Sequence, residues 1–239
     1  LYNFNEETIK GFVLRIIQEK SFQSIVLNGA NFSDQYFQSY EQYEQNYIKT
    51  TLLTTNELFL HDEIVKYYDR IMRKNNKKEF LELLKSINPS IVDVDTIKEG
   101  DKRLYVKTVY SKVFTPISTF GDAVNKMVNW MRQLENMTNG ILLIDEIENG
   151  IHYTKQKEMW KMLFRLSKIF NVQVFATTHS KEMIQAYHDV IIEQNLEPLA
   201  RYFILERSPK LNRIIALKLP IGALESRIIN NNSFRGEKI

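Results

Sequence analysis

Two short apolar runs in the second half of the chain each lead directly into polar residues. Residues 141–144 precede Asp145 and Glu146, and residues 172–176 precede a Thr-Thr-His-Ser sequence that contains His179. Apolar runs of this length are typical of strands that are buried on both faces of a parallel sheet. A helical pattern lies between the two runs, so the sequence predicts a right-handed βαβ unit with parallel strands.

The rest of the pattern predicts a mostly helical region before this unit and a hairpin after it. Strands are expected at 48–53, 91–94 and 104–109, helices at 56–73, 76–87 and 121–138, and the hairpin over 201–219. Residues 6–20 carry apolar positions at helical spacing and predict a short helix. Residues 31–47 place Phe and Tyr at three- and four-residue steps, which predicts a helix facing the core or a partner.

Composition excludes several classes of site. The 239 residues contain no cysteine, so disulfides and Cys-ligated zinc or iron–sulfur sites are excluded, which fits a cytoplasmic protein. No apolar run approaches the roughly 18 residues that a membrane span requires, so we expect no membrane association. The 32 Lys and Arg nearly offset the 29 Asp and Glu, and the net charge of +3 does not by itself argue for nucleic acid.

The polar residues that follow the two apolar runs are the candidates for catalytic and metal-binding roles. Carboxyl ends of neighbouring parallel strands meet at one edge of a sheet, so Asp145, Glu146 and His179 are expected to converge on one crevice. An acid pair after a strand suits an ATPase, in which one carboxylate serves Mg²⁺ and the other orients the attacking water. Solvated carboxylates and a structural histidine are the alternatives. Ser118 and Gly121 precede a helix whose N-terminus can face an anion.

Three segments together resemble the C-terminal two-thirds of an ABC-type ATPase. They are S-x-x-G-D at 118–122, L-L-I-D-E-I-E-N-G-I-H at 142–152 and A-T-T-H-S at 176–180. The resemblance is to the soluble AAA branch related to SMC and RecF heads and to the OLD family. It implies an α/β, P-loop NTPase-like fold with a parallel βαβ core. It also suggests three parts: an N-terminal segment of unknown role (1–47), a mostly helical insertion with a small hairpin (48–114), and the ATPase core lobe (115–239).

The resemblance assigns roles at the hydrolytic centre. Asp145 would be the Walker B aspartate that holds Mg²⁺, and Glu146 the carboxylate that polarises the attacking water. His179 would be the switch histidine that reaches the γ-phosphate of ATP. ATP and Mg²⁺ are therefore the expected ligands.

Other roles lie where two subunits would meet. By resemblance, Ser118, Gly121 and Asp122 form the signature motif that contacts ATP bound to the opposite subunit, and Asn149 and His152 lie in the D-loop. The implied assembly is a head-to-tail homodimer that ATP closes. The resemblance suggests DNA transactions or antiphage defence as its task, with DNA and a separate nuclease or toxin effector as partners.

One element of the family pattern is missing from the sequence. No G-x-x-x-x-G-K-[ST] phosphate loop is present. Backbone amides of that loop supply most triphosphate binding, so we expect this chain to bind ATP poorly and to act as an ATPase only when completed by a Walker A segment. The missing loop favours a non-hydrolysing dimerisation module as the alternative, which the intact acids and His179 disfavour. A RecA-like ATPase would leave residues 118–122 unexplained.

Overall fold

A computed structural model describes residues 13–18, 21–26, 48–54, 60–208 and 213–229. The strands are β1 (Val13–Gln18), β2 (Ser21–Val26), β3 (Thr50–Leu53), β4 (Ile91–Glu99), β5 (Asp101–Thr108), β6 (Thr115–Pro116), β7 (Ile141–Ile144), β8 (Gln173–Ala176), β9 (Tyr202–Ser208) and β10 (Arg213–Leu219). The helices are α1 (His61–Arg73), α2 (Lys77–Ile87), α3 (Asp122–Asn136), α4 (Tyr153–Phe170), α5 (Lys181–Gln194) and α6 (Ile221–Ile229).

The first two strands correct one prediction. Residues 13–18, expected in a helix, form β1 and pair antiparallel with β2, so that Val13 lies opposite Val26 and Ile17 opposite Phe22. β-branched and aromatic residues have a higher preference for strands than for helices, and this preference competes with the helical spacing of the apolar positions. Residues 6–12 and the helix predicted over 31–47 lie outside the described residues.

A parallel three-stranded sheet in the order β3-β7-β8 carries the candidate chemistry. Helix α4 connects β7 to β8, which confirms the predicted βαβ unit. The strands are in register at their carboxyl ends, where Leu53 pairs with Ile144 and Ile144 with Ala176. The residues that follow these three therefore start at the same level of the sheet.

The central strand of this sheet is more buried than its two outer strands. Ile141, Leu142 and Ile144 of β7 are buried, whereas Leu52 of β3 is 45% exposed. The prediction of burial on both faces is wrong for β8, whose first and last residues are exposed. Within the described residues β8 is an edge strand with a neighbour on one side only, which leaves its side chains less covered.

The helical region that precedes the core lobe packs tightly around aromatic side chains. Tyr68 on α1 donates a hydrogen bond from its hydroxyl to the Val94 carbonyl at 2.8 Å, and its ring lies 5.7 Å from that of Phe80 on α2. Strands β4, β5 and β6 form an antiparallel sheet beside these helices. The predicted hairpin at 91–109 is confirmed, with Gly100 at its turn in a left-handed conformation (φ +81°).

Charged contacts join this region to the core lobe. Glu135 near the end of α3 accepts from Nε of Arg70 on α1 at 3.0 Å and from Nζ of Lys74, the residue after α1, at 2.7 Å. Apolar residues of α1, α2, α3 and α4 also belong to a single hydrophobic core. The three-part division of the chain stays a prediction, and its second and third parts share this core and, through β3, one sheet.

The C-terminal elements complete the described structure. Trp160 of α4 donates from its indole nitrogen to the Met183 carbonyl of α5 at 3.1 Å, and its ring lies 4.9 Å from that of Tyr187. Strands β9 and β10 form the predicted antiparallel hairpin, and α6 follows them. Within the described residues, no helix is long and apolar enough to cross a membrane.

Candidate active site

The carboxyl edge of the parallel sheet brings three polar residues level with one another. Thr54, Asp145 and Thr177 directly follow the paired residues that end β3, β7 and β8. The backbone ladder continues one step past the strands, since Asp145 N donates to the Leu53 carbonyl and Thr177 N to the Ile144 carbonyl, both at 2.9 Å. The backbones of Asp145 and Thr177 are thus fixed by the sheet itself.

The Thr177 hydroxyl holds the two acids in place. It donates to Asp145 Oδ1 at 2.6 Å and accepts from the backbone N–H of Glu146 at 2.9 Å. Glu146 has a left-handed backbone with φ +47°, which is uncommon for a residue other than glycine. Strained conformations of this kind persist where surrounding contacts determine them, and here the Thr177 contacts do so.

The backbone around His179 is anchored from two directions while the side chain remains exposed. His179 N donates to Glu148 Oε1 at 2.8 Å, and Ser180 N donates to the Thr178 hydroxyl at 3.1 Å. Ser180 then caps α5 by accepting from Met183 N at 3.1 Å. The position of the exposed imidazole is therefore set by a fixed main chain.

The segment before α3 forms a short turn with an exposed tip. Residues Ile117–Thr119 make a 3-10 turn in which Ser118 is exposed, and its carbonyl accepts from Asn125 Nδ2 at 3.2 Å. Gly121 immediately precedes α3 with φ +82°, a conformation that glycine adopts without strain. Asp122 begins the helix, where a carboxylate interacts favourably with the helix dipole.

The loop after the acid pair lies against the start of α3. A β-carbon on Gly150, whose φ is +68°, would lie 3.0 Å from Asp122 Cβ. Lys126 Nζ donates to the Asn149 carbonyl. The predicted signature and D-loop segments of the same chain are therefore in direct contact.

A cavity of about 230 Å³ lies between these elements. Four residues predicted for the site line it: Asp122, Asp145, Glu146 and Asn149. The other predicted site residues, Ser118, Gly121, His152 and His179, do not line it. His152 is exposed, with Nδ1 at 3.0 Å from the Thr154 hydroxyl, and His179 is joined to the acid turn through Glu148.

Several residues that line the cavity were not predicted from the sequence. Asn125, Lys126 and Asn129 line the cavity from α3 together with Asp122. Their steps of three, four and seven residues from Asp122 place all four on one helical face, a polar stripe that was readable from the sequence. Thr177 was also recognisable, since it follows its strand as Asp145 follows β7.

The donor set at the sheet edge fits Mg²⁺. Mg²⁺ prefers oxygen ligands and usually binds through one or two carboxylates, with water and substrate phosphates completing its shell. Asp145 is exposed and its Oδ1 already accepts from Thr177, which orients the carboxylate. No group of three or more His, Cys, Asp or Glu that could hold a metal occurs in the described part of the chain. A carboxylate site that shares its ion with a nucleotide does not require such a group.

The sequence matches the AAA ATPase domain family over residues 30–184. The chain belongs to that family. The match covers more than half of the chain and spans the acid pair, the D-loop segment and His179. It confirms the AAA ATPase part of the resemblance, and the parallel βαβ core agrees with the α/β, P-loop NTPase-like fold class predicted with it.

Similar proteins include an ATP/GTP phosphatase of Helicobacter pylori (strain ATCC 700392 / 26695), which is 26% identical over 162 residues. That alignment covers 65% of this chain and 43% of the relative, so the chain spans less than half of the relative's length. Among solved structures, the SMC head domain from Thermotoga maritima has a TM-score of 0.44 and 12% identity, covering 70% of this chain and 54% of that one. A Pyrococcus furiosus Smc head domain has a TM-score of 0.44 and 14% identity, covering 72% and 42% respectively.

Proposed function

We propose that this chain forms the hydrolytic part of an ABC-type ATPase that works in the cytoplasm. The observation that carries the proposal is the pair Asp145 and Glu146 at the carboxyl end of β7, fixed by the Thr177 hydroxyl at the edge of a cavity of about 230 Å³. Membership of the AAA ATPase domain family supports nucleotide hydrolysis as the chemistry. The name of the Helicobacter relative, an ATP/GTP phosphatase, agrees with it.

Glu146 is the proposed catalytic residue. Its backbone is held in a left-handed conformation two residues after the strand ends, and Glu146 lines the cavity together with Asp145. A carboxylate in this position accepts the proton of the attacking water or orients that water for in-line attack on the γ-phosphate. A neutral amide in the same place would keep the shape of the site without its basicity.

The charge of the cavity indicates which form of ATP would bind. Asp122, Asp145 and Glu146 supply three carboxylates, and Lys126 supplies an ammonium group that donates to the Asn149 carbonyl. Such a lining repels a free triphosphate but accepts one that carries a divalent cation. Asp145 would hold Mg²⁺, which when bound neutralises charge that develops on the phosphate oxygens. His179 would donate to the γ-phosphate from its anchored loop.

A head-to-tail homodimer would complete this site. Ser118 and Gly121 are exposed just before the first residue of α3. They do not line the cavity of their own chain, so they are free to face ATP on a second copy. His152 of the D-loop segment is also exposed, and its ring centroid lies 4.5 Å from that of Tyr153, which is 64% exposed. Enclosing the γ-phosphate between two subunits excludes water and surrounds its charge, which hydrolysis requires.

The task that such a cycle would drive is a separate part of the proposal. We infer that ATP-dependent closure and release would act in DNA transactions or antiphage defence, together with a separate nuclease or toxin effector. The resemblance of the three motif segments to the soluble ABC-type branch related to the OLD family supports this inference.

The experiment that tests the function compares Glu146→Gln with Glu158→Gln in the full-length protein. Glu158 is a matched glutamate on α4 that pairs with Lys161 at 2.9 Å, away from the cavity lining. Phosphate release from ATP should disappear in Glu146→Gln and persist in Glu158→Gln, while light scattering with ATP should show a dimer trapped by Glu146→Gln. Unchanged turnover in Glu146→Gln would remove Glu146 from the mechanism. No turnover in the wild type would support the non-hydrolysing dimerisation module instead.

A further inference from the structure

Glu148 lies between two segments of the site, and neither the hydrolytic nor the dimer-contact roles proposed above include it. Its Oε1 accepts the backbone N–H of His179 at 2.8 Å. Its own carbonyl accepts from Ile151 N at 3.0 Å, within the turn in which Asn149 N donates to the Glu146 carbonyl at 2.9 Å. One residue thus touches the loop of the predicted switch histidine and forms part of the predicted D-loop turn.

The second carboxylate oxygen of Glu148 is unusual. Oε2 is buried and makes no hydrogen bond within the described structure. A buried polar atom without a partner costs on the order of 1–3 kcal/mol and calls for an explanation. An apolar residue or a smaller polar one would avoid this cost, so packing alone does not account for a glutamate here.

We propose that Glu148 is a positioning residue that fixes His179 relative to the catalytic acid and couples it to the D-loop. Glu148 acts through the His179 main chain and does not touch ATP. Asn149 and His152 would lie at the dimer contact. When the dimer closes and the D-loop shifts, Glu148 would move with it and would displace His179 through their hydrogen bond. The inference rests on the proposed ATPase function and adds to it a route by which dimer closure aligns the switch histidine.

The geometry separates two substitutions at this position. Glu148→Gln retains a carbonyl oxygen that can accept from His179 N, whereas Glu148→Ala has no acceptor. Charge at Glu148 is not required for the contact, since a neutral amide oxygen accepts a backbone N–H as well. Glu158→Ala on α4 is the matched control, because it removes a half-buried glutamate whose partner among the described residues is Lys161.

The experiment measures kcat and KM for ATP in the full-length wild type and these three variants. We expect Glu148→Ala to lower kcat by about tenfold or more, with KM changed less than about twofold, because the contact aligns a group used in the transition state. Glu148→Gln should recover kcat to within about threefold of the wild type, and Glu158→Ala should leave it unchanged. Amide hydrogen exchange at His179, without nucleotide, should accelerate at least about tenfold in Glu148→Ala and stay slow in Glu148→Gln.

The outcomes distinguish this inference from the proposed function. A wild type that hydrolyses ATP while Glu148→Ala retains kcat within twofold would overturn the positioning role and leave the ATPase function standing. Equal losses in Glu148→Ala and Glu148→Gln would also overturn it, since the backbone acceptor would not be what matters. A wild type without turnover would overturn the function, and the mechanistic role of Glu148 with it, whatever the exchange of the His179 amide shows.

Discussion

Gly150 and Asp122 approach each other so closely that a β-carbon placed on Gly150 would lie 3.0 Å from Asp122 Cβ and 3.1 Å from its Oδ2. The two residues belong to the loop after the acid pair and to the first turn of α3. Their contact fixes the distance between the predicted D-loop and signature segments in one subunit. A side chain at position 150 would require Asp122 to shift by a few tenths of an ångström and would be strained at φ +68°.

Gly150→Ala should therefore destabilise the protein. The methyl group meets Asp122, and φ +68° is a strained conformation for alanine, so we expect the free energy of unfolding to fall by about 1–3 kcal/mol. Urea denaturation followed by circular dichroism measures this change. Gly222→Ala is the matched control, because that glycine lies in α6 with open space around its Cα and should gain up to about 1 kcal/mol. Equal stability of the two variants would contradict the role of the contact.

Thr177→Val should impair the acid pair. Valine keeps the shape of threonine but removes the hydroxyl that donates to Asp145 and accepts from Glu146 N. We expect a loss of about 1–2 kcal/mol in stability and a fall in ATP turnover of more than about tenfold. Thr177→Ser preserves the hydroxyl and should stay within about threefold of wild-type turnover. If serine and valine variants lose activity equally, the hydroxyl is not what orders the acids.

His179→Ala should slow hydrolysis by more than about tenfold, which corresponds to roughly 1.4 kcal/mol of transition-state stabilisation. The backbone contacts of residue 179 do not involve the imidazole, so folding and thermal stability should remain close to those of the wild type. Steady-state phosphate release gives the rate, and a thermal melt gives the control. A decrease below twofold would make the histidine structural.

Alkaline pH should destabilise the protein partly through Tyr187. Burial raises the pKa of this phenol from 10.0 to about 12. The unfolded chain thus loses its proton first, and the free energy of unfolding falls by up to about 1.4 kcal/mol per pH unit from pH 10 to 12. Tyr187→Phe should reduce this slope, although Tyr67 and Tyr68, whose pKa burial also raises, keep part of it. Urea titrations at several pH values measure the slopes, and identical slopes would contradict the prediction.

The sequence was sufficient for the parts of the fold whose signal is local. The apolar runs before Asp145 and Thr177 predicted β7 and β8, and the helical spacing between them predicted α4. Pairing between distant segments carries no local signal, so the alignment of β3 beside β7 and the cavity under α3 required the structure. The prediction of a helix over 6–20 is wrong at residues 13–18. Val13, Ile16 and Ile17 have helical spacing, but β-branched residues favour strands.

Helix α3 begins at Asp122 in the cavity and ends at Asn136, beside the ion pairs of Glu135 with Arg70 and Lys74. Its 15 residues make a rod of about 22 Å without an internal break. Because the helix is continuous, a displacement of one end is transmitted to the other. Under the proposed function, a nucleotide that tilted the first turn of α3 would shift Glu135 at the far end, and α1 with it through Arg70.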